Sequence, residues 1–225
     1  MLPAAIVLDA VILAGGRSVR LGGEQKAALL YRERSLLSHA LDAAEDARLR
    51  VVVGQPPEND PLPTGVIVTR ETPAFGGPAA GIAAGFDALE VATRRASAPR
   101  ADYVLLLACD MPGISEAIPV LLAELEFFDP HIAGVIAVDG TGHPQQLAGI
   151  YRATALAAAI DEHRGSFTGL SVRALLAGLA CSRATVPERS TQDIDTWSDA
   201  AQYGITQHGI VAPPALRAAP EQEKS

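Results

Sequence analysis

Cysteine is nearly missing: Cys109 and Cys181 are the only two in 225 residues. They form no C-x-x-C pair of metal-ligand spacing, and two in a chain this long build no disulfide scaffold, so they read as reduced thiols. Lysine is equally scarce. Lys26 and Lys224 are the only two, and every other basic residue is arginine. Positive charge is short overall, with 18 Lys+Arg against 26 Asp+Glu and a net charge of −8. Such a chain lacks the broad basic footprint that nucleic-acid binding requires. No apolar run approaches the ~18 residues of a membrane span. The N-terminal stretch Ala4–Ala14 has no basic flank and is interrupted by Asp9, unlike a signal peptide. The expected location is the cytoplasm, with no nucleic-acid or membrane partner.

What is present is globular: 48% hydrophobic and 20% charged residues, a balance typical of a folded chain. The length suits one domain. The expected domain covers 1–210, followed by a tail over 211–225 of Ala, Pro, Glu and Lys with little to bury. Strands are expected at Ile6–Leu13, Arg50–Val53, Val66–Thr69, Tyr103–Ala108, Val135–Val138 and Gln146–Tyr151, several of them β-branched without polar alternation. Such strands are buried on both faces. Helical stripes lie between them: Leu37, Leu41, Ala44 and Arg48 after Ser35; Ile82, Phe86 and Leu89 after Pro78; Ile118, Leu121, Leu122 and Leu125 after Ser115. Further helices are expected over Thr154–Glu162, Leu170–Leu179 and Thr196–Tyr203. Four prolines within Pro56–Pro63 mark a loop. The alternation implies an α/β fold, a mostly parallel central sheet with helices on both faces.

The segment Leu13-Ala14-Gly15-Gly16-Arg17-Ser18-Val19-Arg20-Leu21-Gly22-Gly23-Glu24-Gln25-Lys26 follows the first strand. Glycines let the backbone bend and approach a ligand without a Cβ in the way. Successive N–H groups can then converge on an anion. Arg20 and Lys26 add full charges suited to a triphosphate. The spacing fits neither G-x-x-x-x-G-K-[ST] nor G-x-G-x-x-G, which also argues against a nicotinamide-binding oxidoreductase. The strand Tyr103–Ala108 leads to Cys109-Asp110-Met111-Pro112. Ligands of open α/β sheets bind at strand carboxyl ends, where Asp110 could hold Mg²⁺ or act as a turn residue. Beside the glycine loop, the metal reading is preferred. Cys109 reads as a buried small residue.

These segments, with Gly76-Gly77-Pro78-Ala79-Ala80-Gly81-Ile82, Asp139–Tyr151 and Asp193-Ile194-Asp195-Thr196, give a chain that resembles the molybdenum cofactor guanylyltransferases over most of Val11–Tyr203. The resemblance implies a Rossmann-like nucleotidyltransferase with Mg²⁺ as cofactor. Its substrates would be GTP and a molybdopterin phosphate, and its products a guanine dinucleotide cofactor and pyrophosphate. The same fold acting with CTP or another nucleotide on a different small phosphate is the alternative. By resemblance, Leu13, Ala14 and Gly15 contact the nucleotide through backbone, Lys26 binds phosphate and Asp110 holds the metal. Gly16 is a further nucleotide-binding candidate of the same loop, and Arg20 is expected to share the triphosphate charge with Lys26. Gln25 stands where relatives often carry Asp. Glu71 lies near the position of an acidic guanine-reading residue. A carboxylate can accept both N1–H and the 2-amino group of guanine, and the alternative is a solvated loop Glu. Gly81 is expected to allow nucleotide approach and Gly85 to allow packing. Gln145 and Asp195 are the acceptor-side candidates. His39 is expected to be structural, and His143 a surface or packing residue.

Overall fold

The computed structural model describes residues 6–16, 21–125, 129 and 131–206. Arg20 and the expected tail over 211–225 lie outside the described residues. In chain order, β1 (Leu8–Ala14) leads through the glycine loop to a 3-10 turn at Lys26–Ala28. A short hairpin of β2 (Leu30–Tyr31) and β3 (Arg34–Ser35) follows, then α1 (Leu36–Ala43), β4 (Arg50–Gly54) and β5 (Val66–Thr69). Next come α2 (Pro78–Arg95), β6 (Tyr103–Ala108), a second 3-10 turn at Ile114–Glu116, and α3 (Ile118–Leu125). The last third holds β7 (Gly134–Val138), β8 (Pro144–Arg152), α4 (Ala153–Glu162), α5 (Val172–Leu175), β9 (Cys181–Thr185) and α6 (Trp197–Gln202).

Seven strands form one sheet in the order β5-β4-β1-β6-β8-β7-β9. β1 pairs in parallel with both β4 and β6, β4 with β5, and β7 with β9. β8 runs antiparallel to both of its neighbours. The order reverses at β1: the chain first builds outward to β4 and β5, then crosses back to β6. The carboxyl ends of β1 and β6 therefore flank a topological switch point, where such sheets bind ligands.

Alternating side chains send each strand into two cores. Leu8, Ala10 and Ile12 pack with α1 and α3 on one face. Val11, Val51, Val53 and Leu106 pack with α2, α4 and α5 on the other. Apolar runs buried on both faces are what made these strands recognisable. Asp9 is the exception in β1 and is buried. Its carboxylate accepts Arg48 Nε at 3.0 Å and Nη2 at 2.7 Å, and the Leu49 N–H at 3.2 Å. A buried carboxylate persists when it is paired and its lone pairs are used.

That pair corrects the expected first helix. Its stripe continues through Ala44 and Arg48 in the sequence, but α1 stops at Ala43 with Ala44 as its cap, and Arg48 turns back to Asp9. Ser35 does cap it, accepting from the Ser38 N–H. The stripe expected after Ser115 is α3, which follows directly on the second 3-10 turn. The helix expected over Leu170–Leu179 is only α5, since Ser171 caps it by accepting from Ala174 N–H and so fixes its start. β9 was not expected: in Cys-Ser-Arg-Ala-Thr only Ala184 is fully buried, so this edge strand carries no apolar run.

Candidate active site

Two glycine positions set the site's backbone. Gly54, at the end of β4, has φ 133°, and a Cβ there would lie 2.8 Å from the carbonyl carbon of Ala14 and from Gly15 N. Only glycine lets β4 close against the loop after β1. Gln25 strengthens the same junction, its side-chain amide donating to the Gln55 carbonyl. Gly85 lies on α2 itself, facing the sheet, where a Cβ would fall 2.4 Å from Val11 Cγ1 and 2.9 Å from Val53 Cγ2. The expected packing role of Gly85 follows directly. Gly81 borders the cleft, yet a Cβ there would also meet Leu13 Cδ2 at 3.2 Å, so its size serves both approach and packing.

Opposite the loop, β6 delivers Asp110. The third and last motifs are joined by backbone: Ile194 N–H donates to the Asp110 carbonyl at 3.0 Å. Ile194 is fully buried. Thr196 then caps α6 in a reciprocal capping box with Asp199, which fixes the preceding Asp195. Lys26, held on its 3-10 turn, places Nζ 2.7 Å from Asp110 Oδ2 and 2.6 Å from Asp195 Oδ1. Burial pulls its pKa down, but the charges and hydrogen bonds of Asp110 and Asp195 outweigh that and hold the ammonium above its ordinary value of 10.5. Asp193 stands in the same cluster. Burial, then the negative charges of Asp110 and Asp195, push its carboxyl up.

Two adjoining cavities share Leu13, Gly15, Gly16 and Pro78. One, of about 140 Å³, is also bordered by Ala14, Gln25, Lys26, Asp110 and Leu147. The other, of about 240 Å³, is closed by Val53, Glu71, Phe75, Gly77 and Gly81. The amino end of α2, with Gly77 as its cap and Pro78 in its first turn, opens toward both and favours anions. Glu71 accepts the Phe75 N–H at 3.1 Å through Oε1. The structure thus gathers Leu13, Ala14, Gly15, Gly16, Lys26 and Asp110 around one space, with Glu71 and Gly81 around the next. Cys109 is buried and its thiol is pushed well up by that burial, which removes it as a nucleophile. A much larger groove, about 990 Å³ between β5 and α2, is lined by neither Lys26, Asp110 nor the glycine loop, so size does not mark the site.

The other half of the sheet is irregular. Ile136 pairs with Gly149 but Ala137 pairs with Gln145, so β7 bypasses residues 146–148 of β8. Tyr151 Oη donates to the Gln146 carbonyl at 2.8 Å and holds this bulge. Leu147 then borders the cavity of Asp110, while Gln146 borders a third cavity of about 720 Å³. His143, Arg173 and Arg183 line that cavity beside Ile136, Tyr151 and Leu176. Neither guanidinium has an ion-pair or hydrogen-bond partner among the described residues. Gln145, the expected acceptor-side residue, lies in the ladder opposite Ala137 rather than in these walls, and Asp195 bonds Lys26. His39 bonds the Tyr31 carbonyl and packs on its ring, a structural role as expected. Sequence reasoning missed Gly54, Phe75, Asp193 and the two arginines. Asp193 alone had a signal, as the first residue of the late motif.

Comparison with known proteins agrees with this fold. Residues 10–184 match the family model described as "MobA-like NTP transferase domain". A molybdenum cofactor guanylyltransferase of Pseudomonas fluorescens is 29% identical over 147 residues, 58% of this chain and 66% of that protein. One from Rhizobium johnstonii is 31% identical over 135 residues, 60% of this chain and 59% of that protein. The matched stretches therefore span less than two thirds of these relatives. Molybdopterin-guanine dinucleotide biosynthesis protein A from Archaeoglobus fulgidus shares the fold, with TM-score 0.59 and 19% identity over 87% of this chain and 96% of that one. So does 2-C-methyl-D-erythritol 4-phosphate cytidylyltransferase from Francisella tularensis, with TM-score 0.64 and 14% identity over 86% and 96%. With the family model covering most of the chain and the motif residues meeting at one switch point, this protein belongs to the MobA-like NTP transferase family.

Proposed function

We propose that the protein transfers GMP from GTP to the phosphate of molybdenum-loaded molybdopterin. The observation that carries this reading is Lys26 Nζ held between Asp110 and Asp195 beneath the glycine loop. An oxygen of the acceptor phosphate forms a bond to the α-phosphorus, and the bond from that phosphorus to the β-phosphate oxygen breaks, releasing pyrophosphate. A phosphate monoester is already anionic at neutral pH, so the chain needs no general base. Positioning and charge neutralisation supply the rate.

The donor set fits Mg²⁺. It is all carboxylate oxygen, and Mg²⁺ uses one or two carboxylates plus phosphate oxygens and water. Among the described residues no three such side chains form a ready cage, which suits a metal that arrives with its nucleotide. Asp110 and Asp195 would hold it, and bound there it would neutralise phosphate charge. Lys26 is the cation that balances these carboxylates, and from the cavity wall it would meet the phosphates. The loop amides around Gly15 and Gly16 and the amino end of α2 offer donors to the same group. Glu71 borders the adjoining cavity, where a guanine edge would find an acceptor. The acceptor would approach from the β8 side, where the cavity of Arg173 and Arg183 supplies uncompensated positive charge.

The test is incubation of the protein with GTP, Mg²⁺ and molybdate-loaded molybdopterin, followed by mass detection of the dinucleotide. Formation with GTP in preference to CTP, ATP and UTP is expected. No dinucleotide with any of the four would refute the reading, and preference for CTP would refute the base assignment alone.

A further inference from the structure

Phe75 carries two costs at once. Its side chain is 64% exposed, the highest value among the exposed large apolar residues of the described chain. Its backbone also has φ 62°, a left-handed conformation that a bulky side chain adopts as a genuine outlier. Glycine would sit there without strain, and Gly76 and Gly77 follow immediately. The ring belongs to none of the three apolar cores. Strain and exposed apolar surface kept together at one position point to function.

The location says which function. Phe75 borders the 240 Å³ cavity with Leu13, Gly15, Val53, Glu71 and Gly81, and it is the one aromatic among the described residues lining that space. Its N–H holds Glu71 Oε1 at 3.1 Å, so ring and carboxylate are set by the same short turn. A nucleobase needs a face to lie against and a partner for its polar edge. Stacking on an aromatic ring supplies the first for any base.

We propose that Phe75 is the platform on which the nucleobase lies, and that its backbone N–H positions Glu71 at the base's edge. This rests on the nucleotide-transfer reading above. The ring provides affinity for the base, and Glu71 provides the choice among bases.

Calorimetric titration of the full chain with GTP, CTP and inorganic triphosphate, each with Mg²⁺, tests it. Phe75→Gly removes the ring and suits the left-handed backbone, so the melting temperature should not fall. Its GTP affinity should drop about tenfold, in the range seen when a stacking aromatic is truncated, with triphosphate affinity unchanged. Phe75→Ala should weaken GTP similarly, and Phe75→Tyr should restore binding. GTP binding by Phe75→Gly within twofold of wild type would overturn the platform and leave the transfer reading intact. Equal loss for GTP and inorganic triphosphate would also overturn it, because the turn and not the ring would then matter. A wild type that prefers CTP, with that binding lost in Phe75→Gly, would uphold the platform while removing the guanine reading. No nucleotide binding by the wild type would overturn both.

Discussion

The two halves of the sheet obey different rules. From β5 to β6 every pairing is parallel and in continuous register, and the loops at the carboxyl ends of β1 and β6 hold the glycine motif and Asp110. From β8 to β9 the sheet contains an antiparallel strand, a three-residue bypass and a polar edge. The regular half makes a small, glycine-lined space at a helix amino end, suited to a nucleotide. The irregular half makes a wider space lined by arginines, suited to a larger anionic partner. One chemistry needs a fixed cradle and the other a shaped opening. Bulges commonly serve the second purpose, re-aiming side chains beside active sites.

Breaking the regular half should have the largest effect. Asp110→Ala and Lys26→Ala should each lower turnover at least a hundredfold, because charge stabilisation at a reacting phosphate is worth several kcal/mol. Steady-state assay of dinucleotide formation measures this, with circular dichroism to check that the fold survives. Wild-type turnover in either variant would contradict the assigned roles. Breaking the other half should separate differently. Arg173→Ala combined with Arg183→Ala should raise KM for the acceptor about tenfold and leave KM for GTP alone, as expected when one or two charge-assisted contacts are lost. An equal change in both constants would merge the two spaces into one.

The smallest effect concerns stability and pH. The Asp193 carboxyl is raised above 3.8 by burial and by the charges of Asp110 and Asp195. The folded state then binds more protons than the unfolded one as pH rises from 3.8 through the folded value, so stability falls across that window and stays lower above it. Asp193→Asn should remove this loss. Thermal melts between pH 3 and 7 should show a flatter profile and a higher midpoint at neutral pH than wild type.

The same contrast explains what could be read from the sequence. Apolar runs such as Val51–Val53 and Tyr103–Ala108 announce strands because they are buried on both faces. A glycine loop with Lys26, and an Asp at a strand end, carry chemistry in their residue types and spacing. Lys26 was conspicuous as one of only two lysines, and it does lie at the centre of the carboxylate cluster. β9 has no such run, and Gln146 and Leu147 are redirected by a register shift that no local pattern encodes. Arg173 and Arg183 are ten residues apart on different elements, and only the fold places them around one cavity. Phe75 reads as a loop residue until its backbone angle and its cavity are known.

The central claim is that Asp110 holds the metal with the nucleotide at the switch point of the regular half. The most direct measurement is the GTP dissociation constant as a function of Mg²⁺ for wild type and Asp110→Asn. The account predicts that Mg²⁺ tightens GTP binding in the wild type and has little effect in Asp110→Asn. An equal Mg²⁺ enhancement in both proteins would contradict it.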